Sequence, residues 1–284
     1  MQNSSFIGNF LSGLKKKLHI LCTNSYATVG ISKIKHKILK HLPPGKIRGH
    51  KMLNASFFYQ NPQEFLHGIK EIFIEKIYKV SLPDNPYIID CGANIGLSVL
   101  YFKNIFPDAE ILAFEPDERN FSLLEKNIRS FNLSNIGLRK EAVWNEDTWI
   151  NFTEEASMSS KIEMNGSGSK KVKASRLRDF LNRKVDFLKI DIEGAEYTVL
   201  CDIADKLKNV DNMFIEYHGN YDQQIELTKL FVILTENNFN YYIKEALSVY
   251  NHPFIQEKNN KIVYDIQLNI FCHKNKASAI IKNP

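Results

Sequence analysis

Apolar residues fall into two kinds of run along this chain. The first kind is short and nearly continuous: residues 87–91 (Tyr-Ile-Ile-Asp-Cys), 110–114, 136–144, 185–191, 212–217, 239–244 and 265–272. Runs of this length, bounded by turn residues, read as buried strands. The second kind recurs at helical spacing over residues 96–106, 117–131, from about 195 onward, and 221–238. Asp117 is the expected N-cap of the 117–131 helix, with Phe121, Leu124 and Ile128 facing inward. Strands alternating with helices predict βαβ units and a parallel sheet. The last two strands have no helix between them, which predicts an antiparallel edge. Residues 148–175 are polar and rich in Gly and Ser around Asn165-Gly166-Ser167-Gly168, and predict a hairpin or flap.

Upstream, Phe65, Ile69, Ile72, Phe73, Ile77 and Val80 share one face opposite Glu64, Glu71 and Glu75, so the spacing predicts a helix over 62–80. Leu82-Pro83-Asp84-Asn85-Pro86 stops it. Residues 1–63 read as an arm with weak helical pieces. One has Phe6, Phe10, Leu11 and Leu14 on a face, and Leu42-Pro43-Pro44-Gly45 breaks another. The expected organisation is a basic arm, 1–63, followed by one domain, 64–284.

The composition, 284 residues with 44% hydrophobic and 24% charged, supplies a full core and excludes a wholly disordered chain. No run approaches the ~18 apolar residues of a membrane span. The N-terminal charges follow the short apolar stretch rather than precede it, which does not read as a secretory signal. Cys22, Cys91, Cys201 and Cys272 are scattered, with no C-x-x-C to suggest a zinc ribbon or a redox pair. A reduced, cytoplasmic protein is the expectation. Charge changes the picture more. The first 63 residues hold ten Lys and Arg and no acid, so the remainder of this +5 chain carries a net −5. Such an arm is suited to an anionic membrane surface. It lacks the interleaved aromatics of single-strand nucleic-acid binders, so no nucleic-acid partner is expected.

The first strand of the domain runs into Asp90-Cys91-Gly92-Ala93-Asn94-Ile95-Gly96-Leu97 and then a helix. A strand, a Gly-rich turn and a helix start form a nucleotide-binding arrangement. The second strand ends at Phe114-Glu115-Pro116, which puts an acid where ribose hydroxyls would be held. A dinucleotide fingerprint would need glycine where Asn94 and Leu97 stand, and the P-loop spacing is absent. Asp90 would repel a diphosphate but suits a cationic sulfonium ligand bearing an ammonium group.

These stretches, together with Phe187-Leu188-Lys189-Ile190-Asp191-Ile192-Glu193-Gly194-Ala195-Glu196, resemble the FkbM family of S-adenosylmethionine-dependent methyltransferases over roughly residues 86–273. The D-x-E-G-x-E stretch is the most specific part. The resemblance implies an α/β class I (Rossmann-like) methyltransferase fold: a seven-stranded, mostly parallel sheet with helices on both faces and an antiparallel C-terminal strand. It implies O-methylation of a carbohydrate, glycolipid or natural-product hydroxyl. It also implies that Asp90, Gly92, Asn94 and Gly96 line the methionine part of S-adenosylmethionine, that Glu115 takes the ribose, that Pro116 and Asn120 shape the ribose–adenine wall, and that Glu141 and Ala142 lie beside the adenine. Cys91 stands where valine or isoleucine is usual.

On the catalytic side, Asp191 ends the fourth strand, Glu193 and Glu196 follow it, and His218 follows the fifth strand. Methyl transfer is mostly positioning, but an alcohol must also lose its proton to a base. Asp191 and His218 are the candidate bases, with an unperturbed histidine titrating near ~6.5. Glu193 is the candidate orienting or hydroxyl-binding group. Glu196 reads either as part of this group or as an acidic helix start. Lys189, on the same strand face as Asp191, is expected to pair with Asp191 or Glu115. Asp191, Glu193 and His218 have donor types that a divalent metal uses, but the sequence assigns no metal. Two other function classes remain: a non-catalytic binding module of this fold, and an NAD-dependent oxidoreductase.

Overall fold

The structure is a computed structural model that describes residues 25–153, 161–162, 170–257 and 263–274. The expected helical face at residues 6–14, the three lysines after it, Cys22 and the tip at residues 165–168 lie outside the described residues. The chain divides into two units, Met1–Ile77 and Tyr78–Pro284.

In the first unit, α1 (Lys33–His41) starts at Ser32, whose hydroxyl accepts from the Lys35 amide, and a hairpin of β1 (Arg48–Met52) and β2 (Ala55–Tyr59) follows. The sequence reading has no hairpin here. Its strands are short and half-exposed, and each buries only two alternate residues, His50 and Met52 in one and Phe57 and Tyr59 in the other, too few to stand out as a pattern. The helix expected over 62–80 is also shorter. α2 (Pro62–Gly68) is capped by Asn61, widens into a π-helix over Ile69–Glu75 and stops at Lys76, at φ 55°. Widening rotates later side chains away from an α-helical face, so Ile77 and Val80 do not continue the stripe.

The second unit contains β3 (Tyr87–Cys91), α3 (Leu97–Ile105), β4 (Glu110–Phe114), α4 (Glu118–Ser130), β5 (Ile136–Arg139), β6 (Ala142–Trp144), β7 (Thr148–Thr153), β8 (Lys161–Ile162), β9 (Lys170–Arg176), β10 (Val185–Ile190), α5 (Glu196–Ile203), β11 (Val210–Gly219), α6 (Gln224–Glu236), β12 (Phe239–Glu245) and β13 (Ile266–Lys274). Seven strands form one sheet in the order β12-β13-β11-β10-β3-β4-β5. Strands β11, β10, β3, β4 and β5 pair in parallel, and β13 is antiparallel to both of its neighbours. This is the class I methyltransferase fold. The last two strands form the antiparallel edge that the sequence implied, with β13 between β11 and the outermost strand β12. The expected single strand over 136–144 is broken at Lys140-Glu141, and β6 leaves for a small sheet ordered β6-β9-β7-β8.

Alternation along β10 explains the two-sided core. Leu188 and Ile190 join a buried cluster with Val199, Leu200 and Ile203 of α5 and with Leu230 and Leu234 of α6. Phe187, on the other face, meets Phe102 of α3 with ring centroids 5.0 Å apart. Helices therefore cover both faces, and the chemistry-bearing residues are left at the strand ends. Among the described residues no helix is long and apolar enough to cross a membrane, and Cys91, Cys201 and Cys272 are free thiols.

Candidate active site

The carboxyl ends of β4, β3, β10 and β11 lie side by side. Their register pairs Phe114 with Cys91, Cys91 with Ile190 and Ile190 with Ile215. Glu115, the turn over residues 92–96 and Asp191 thus emerge in a row. Beyond Ile190, β11 runs on beside β13 alone, which carries Glu216 and His218 past the tip of β10.

The turn after β3 is closed by its own hydrogen bonds. The amides of Gly92 and Ala93 both donate to the Phe114 carbonyl, at 3.1 and 2.8 Å. Asn94 N–H donates to Glu115 Oε2 at 2.8 Å, Ile95 N–H to Asn94 Oδ1 at 2.7 Å, and Gly96 N–H to the Ala93 carbonyl at 2.9 Å. Gly92 and Gly96 both have φ 93°, and Asn94 has φ 49°. Glycine is needed at 92 for a second reason, because a Cβ there would lie 1.9 Å from the Asp191 carbonyl oxygen.

Beneath the turn, Asp90 is fully buried. It accepts from Ser98 Oγ at 2.5 Å and lies 3.3 Å from Lys189 Nζ. Lys189, itself buried, also reaches Asp191 Oδ2 at 3.0 Å and donates to the Gly92 carbonyl at 2.7 Å. Burial alone would lower the lysine's pKa, but Asp191 and Asp90 hold it well above its ordinary value. Lys189 therefore pairs with Asp191 and Asp90, not with Glu115. Through Ser98 and Lys189 the Asp90 carboxylate is tied to the start of α3 and to the Gly-rich turn.

Glu115 is 5% exposed and also accepts from the Asp117 amide at 2.9 Å. Burial pushes its carboxyl up to about 8, against the pull of the Asp117 and Asn94 amides. Pro116 follows it. Asn120 sits in the first turn of α4, where Asp117 caps the helix by accepting from the Arg119 and Asn120 amides. Glu141 and Ala142 lie where the chain passes from β5 into the small sheet. There Glu141 is held by Lys173 Nζ at 2.7 Å, Ser175 Oγ at 2.5 Å and Arg139 Nη1 at 3.3 Å. Burial would raise its pKa, but the Lys173 and Ser175 contacts outweigh that and lower it.

On the other side of the turn, Glu193 has φ 56° and Gly194 φ 100°. Glu196, 1% exposed, reaches back from the start of α5 and accepts from the amides of Ile192 at 3.2 Å and Gly194 at 3.0 Å. It also holds His218, whose Nδ1 lies 3.2 Å from Glu196 Oε1. Nε2 of the same ring faces Glu193 Oε2 and Glu216 Oε1, each at 3.7 Å. Burial alone would lower the histidine's pKa, but the Glu196 hydrogen bond and the three carboxylates push it up to about 10. His218 is thus an imidazolium through the neutral range, which moves its titration far from ~6.5. Glu193 is also raised, by burial first and by the like charges of Asp191, Glu196 and Glu216, despite the pull of His218.

The structure brings Asp191, Glu193, Glu196 and His218 together and adds groups that the sequence reading missed. Glu216 precedes His218 by two, so strand alternation could have placed it on the same face. Tyr264, whose hydroxyl donates to the Glu193 carbonyl at 2.6 Å and whose ring lies 5.1 Å from that of His218, arrives from distant sequence with no local signal.

The model of the methyltransferase FkbM domain matches residues 90–241 of this chain. The chain belongs to the FkbM methyltransferase family. Methyl transfer is therefore its activity class. "Methyltransferase 1" of Beauveria bassiana is 32% identical over 192 residues, covering 56% of this chain and 76% of that protein. "Methyltransferase sdnD" of Sordaria araneosa is 32% identical over 170 residues, covering 46% and 66%. The crystal structure of methyltransferase FkbM from Methylobacillus flagellatus KT has 16% identity and a TM-score of 0.47, covering 69% of this chain and 46% of that one.

Proposed function

We propose that this FkbM-family protein uses S-adenosylmethionine to methylate a hydroxyl of a carbohydrate, glycolipid or natural product. One observation carries the cofactor reading: all five amides of the turn over residues 92–96 already donate within the protein. A diphosphate needs free amides there, and this turn offers acceptors and shape instead, which fits a cationic ligand. When bound, the cofactor supplies an electrophilic methyl group on a sulfonium. Glu115, ionised, would accept from the ribose hydroxyls, with Pro116 and Asn120 beside it. The acceptor hydroxyl would approach Asp191 and Glu193, the carboxylates able to take its proton, since His218 already carries one. The decisive test is calorimetric titration with S-adenosylhomocysteine against NAD. Binding of the first alone supports the reading, and binding of NAD alone overturns it. A labelled-methyl screen of glycolipids, nucleotide sugars and RNA then tests the acceptor class.

We also propose that the basic arm touches anionic membrane. Helix α1 presents Lys33, Lys37 and Lys40 around two exposed isoleucines one turn apart, Ile34 and Ile38, while Lys35 turns inward to His50 Nδ1 at 2.6 Å. Basic residues flanking an apolar stripe suit a lipid surface.

A further inference from the structure

The side chains at the tips of β10 and β11 have a feature that the methyl-transfer reading leaves unused. Glu196 fixes His218 in one orientation. As a buried carboxylate accepting two backbone amides, it also accepts a hydrogen bond from Nδ1–H and so turns Nε2 toward the site. His218 is only 5% exposed, yet Nε2 makes no hydrogen bond, because the oxygens that face it are 3.7 Å away. One of them, Glu193 Oε2, is itself a buried oxygen without a hydrogen-bond partner. Its backbone is held in the left-handed region at φ 56°, and the carbonyl is pinned by the Tyr264 hydroxyl. Donor atoms of Asp191, Glu193 and His218 all lie within 4.8 Å of one another. A ring nitrogen and a carboxylate oxygen, neither of them hydrogen-bonded and only loosely ion-paired with each other at 3.7 Å, are held at one point by neighbouring residues, where a divalent cation can displace the Nε2 proton and take its place.

We propose that Asp191, Glu193 and His218 bind a divalent metal ion, with Glu216 in reach as an outer ligand and Glu196 as the positioning residue behind the histidine. Ligand atoms around one cation, at bond lengths of about 2.1–2.3 Å, stand about 3–4.5 Å apart. The separations here need only a small inward shift. Carboxylates with a single imidazole favour Mn2+ or Mg2+ over thiol-seeking metals. A carboxylate behind a metal-bound histidine is the usual device for orienting the ring. The inference deepens the proposed methyl transfer and rests on it for its purpose: the ion sits where the acceptor hydroxyl must arrive, and coordination lowers that hydroxyl's pKa.

The test uses Mn2+ alone with the full-length protein and no acceptor. Free Mn2+ followed by electron paramagnetic resonance should reveal one saturable site. Electron spin-echo modulation of the bound ion should show nitrogen coupling from one imidazole. Glu193→Gln should weaken binding about tenfold or more, and Glu196→Gln about 10–100-fold through the histidine. Glu125→Gln, on the outer face of α4, should not change it. Absence of saturable binding at millimolar Mn2+, or a bound ion without nitrogen coupling, overturns the proposal, and the wild-type spectrum decides even if a variant fails to fold. S-adenosylhomocysteine binding in the same preparation separates the two readings. If it persists while Mn2+ fails to bind, the metal site falls and the methyl-transfer reading stands.

Discussion

Gly92 and Asp191 meet where two parallel strands end, so closely that a Cβ on Gly92 would lie 1.9 Å from the Asp191 carbonyl oxygen. The Asp191 amide in turn donates to the Cys91 carbonyl at 3.1 Å. The glycine is therefore demanded first by the protein's own packing. The sequence reading places it along the methionine part of the cofactor. Gly92→Ala should destabilise the fold by about 2–5 kcal/mol, the combined cost of a left-handed alanine and of an overfilled contact. Chemical denaturation measures it. An unchanged midpoint with lost S-adenosylhomocysteine binding would return the glycine to a purely ligand-facing role.

Glu115 links the turn to β4 and is the proposed ribose acceptor. Glu115→Ala should weaken S-adenosylmethionine binding at least tenfold, since charge-assisted hydrogen bonds contribute about 1.5–3 kcal/mol. The wild-type pH dependence has a definite sign. A carboxyl raised to about 8 contributes stability as the neutral acid, present below its usual ~4.5 and lost as pH rises through about 8. Ribose hydroxyls favour the ionised form. Affinity should therefore increase between pH 6.5 and 8.5, and Glu115→Ala should flatten that slope in calorimetry.

Lys189 is a buried cation between Asp90 and Asp191. Lys189→Met leaves both carboxylates uncompensated and should cost about 3–5 kcal/mol. Adding Asp90→Asn should recover part of this loss, because the two sites share one interaction. Strictly additive urea-denaturation energies would mean that the 3.3 Å pair contributes nothing.

His218 stabilises the acidic group around it as an imidazolium. Its folded pKa is raised, so its contribution is fully present below ~6.5 and is lost as pH rises through about 10. His218→Ala should cost about 3–5 kcal/mol at pH 7, and the gap from wild type should close toward pH 10. The transfer rate of wild type should show no inflection near 6.5 that disappears in this variant. Such an inflection would restore the histidine as a neutral base.

The arm prediction is refined by the hairpin. Deleting residues 1–52 would remove β1 from its pair with β2, so surface changes are the cleaner probe. Ile34→Ser with Ile38→Ser, or Lys33, Lys37 and Lys40 changed to Gln, should reduce sedimentation with anionic vesicles, at about 1 kcal/mol per lost charge. Undiminished sedimentation of both variants would remove α1 from the membrane proposal.

Most of the second unit was legible from its sequence. Continuous apolar runs such as residues 87–91 and 185–191 form strands buried on both faces, and helical spacing over 117–131 with Asp117 as cap is a local signal that tertiary contacts need not alter. The turn, Glu115 and the Asp191–Glu196 stretch were legible because each is contiguous and has a chemistry of its own.

The sequence by itself determined which residues stand at strand ends, since alternation, helix stripes and turn glycines are encoded within a few residues. Only the tertiary structure decided what each of them does there. Asp90 is engaged from below by Ser98 and Lys189, and the last strand is internal to the sheet. Glu141 is engaged by Lys173 from β9, and Tyr264 closes over Glu193 from 71 residues away. Above all, the same imidazole that titrates near ~6.5 in water is pushed to about 10 by three carboxylates drawn from two strand ends. A pKa is set by charge and solvent within a few ångströms in space, and that neighbourhood exists only once the chain has folded.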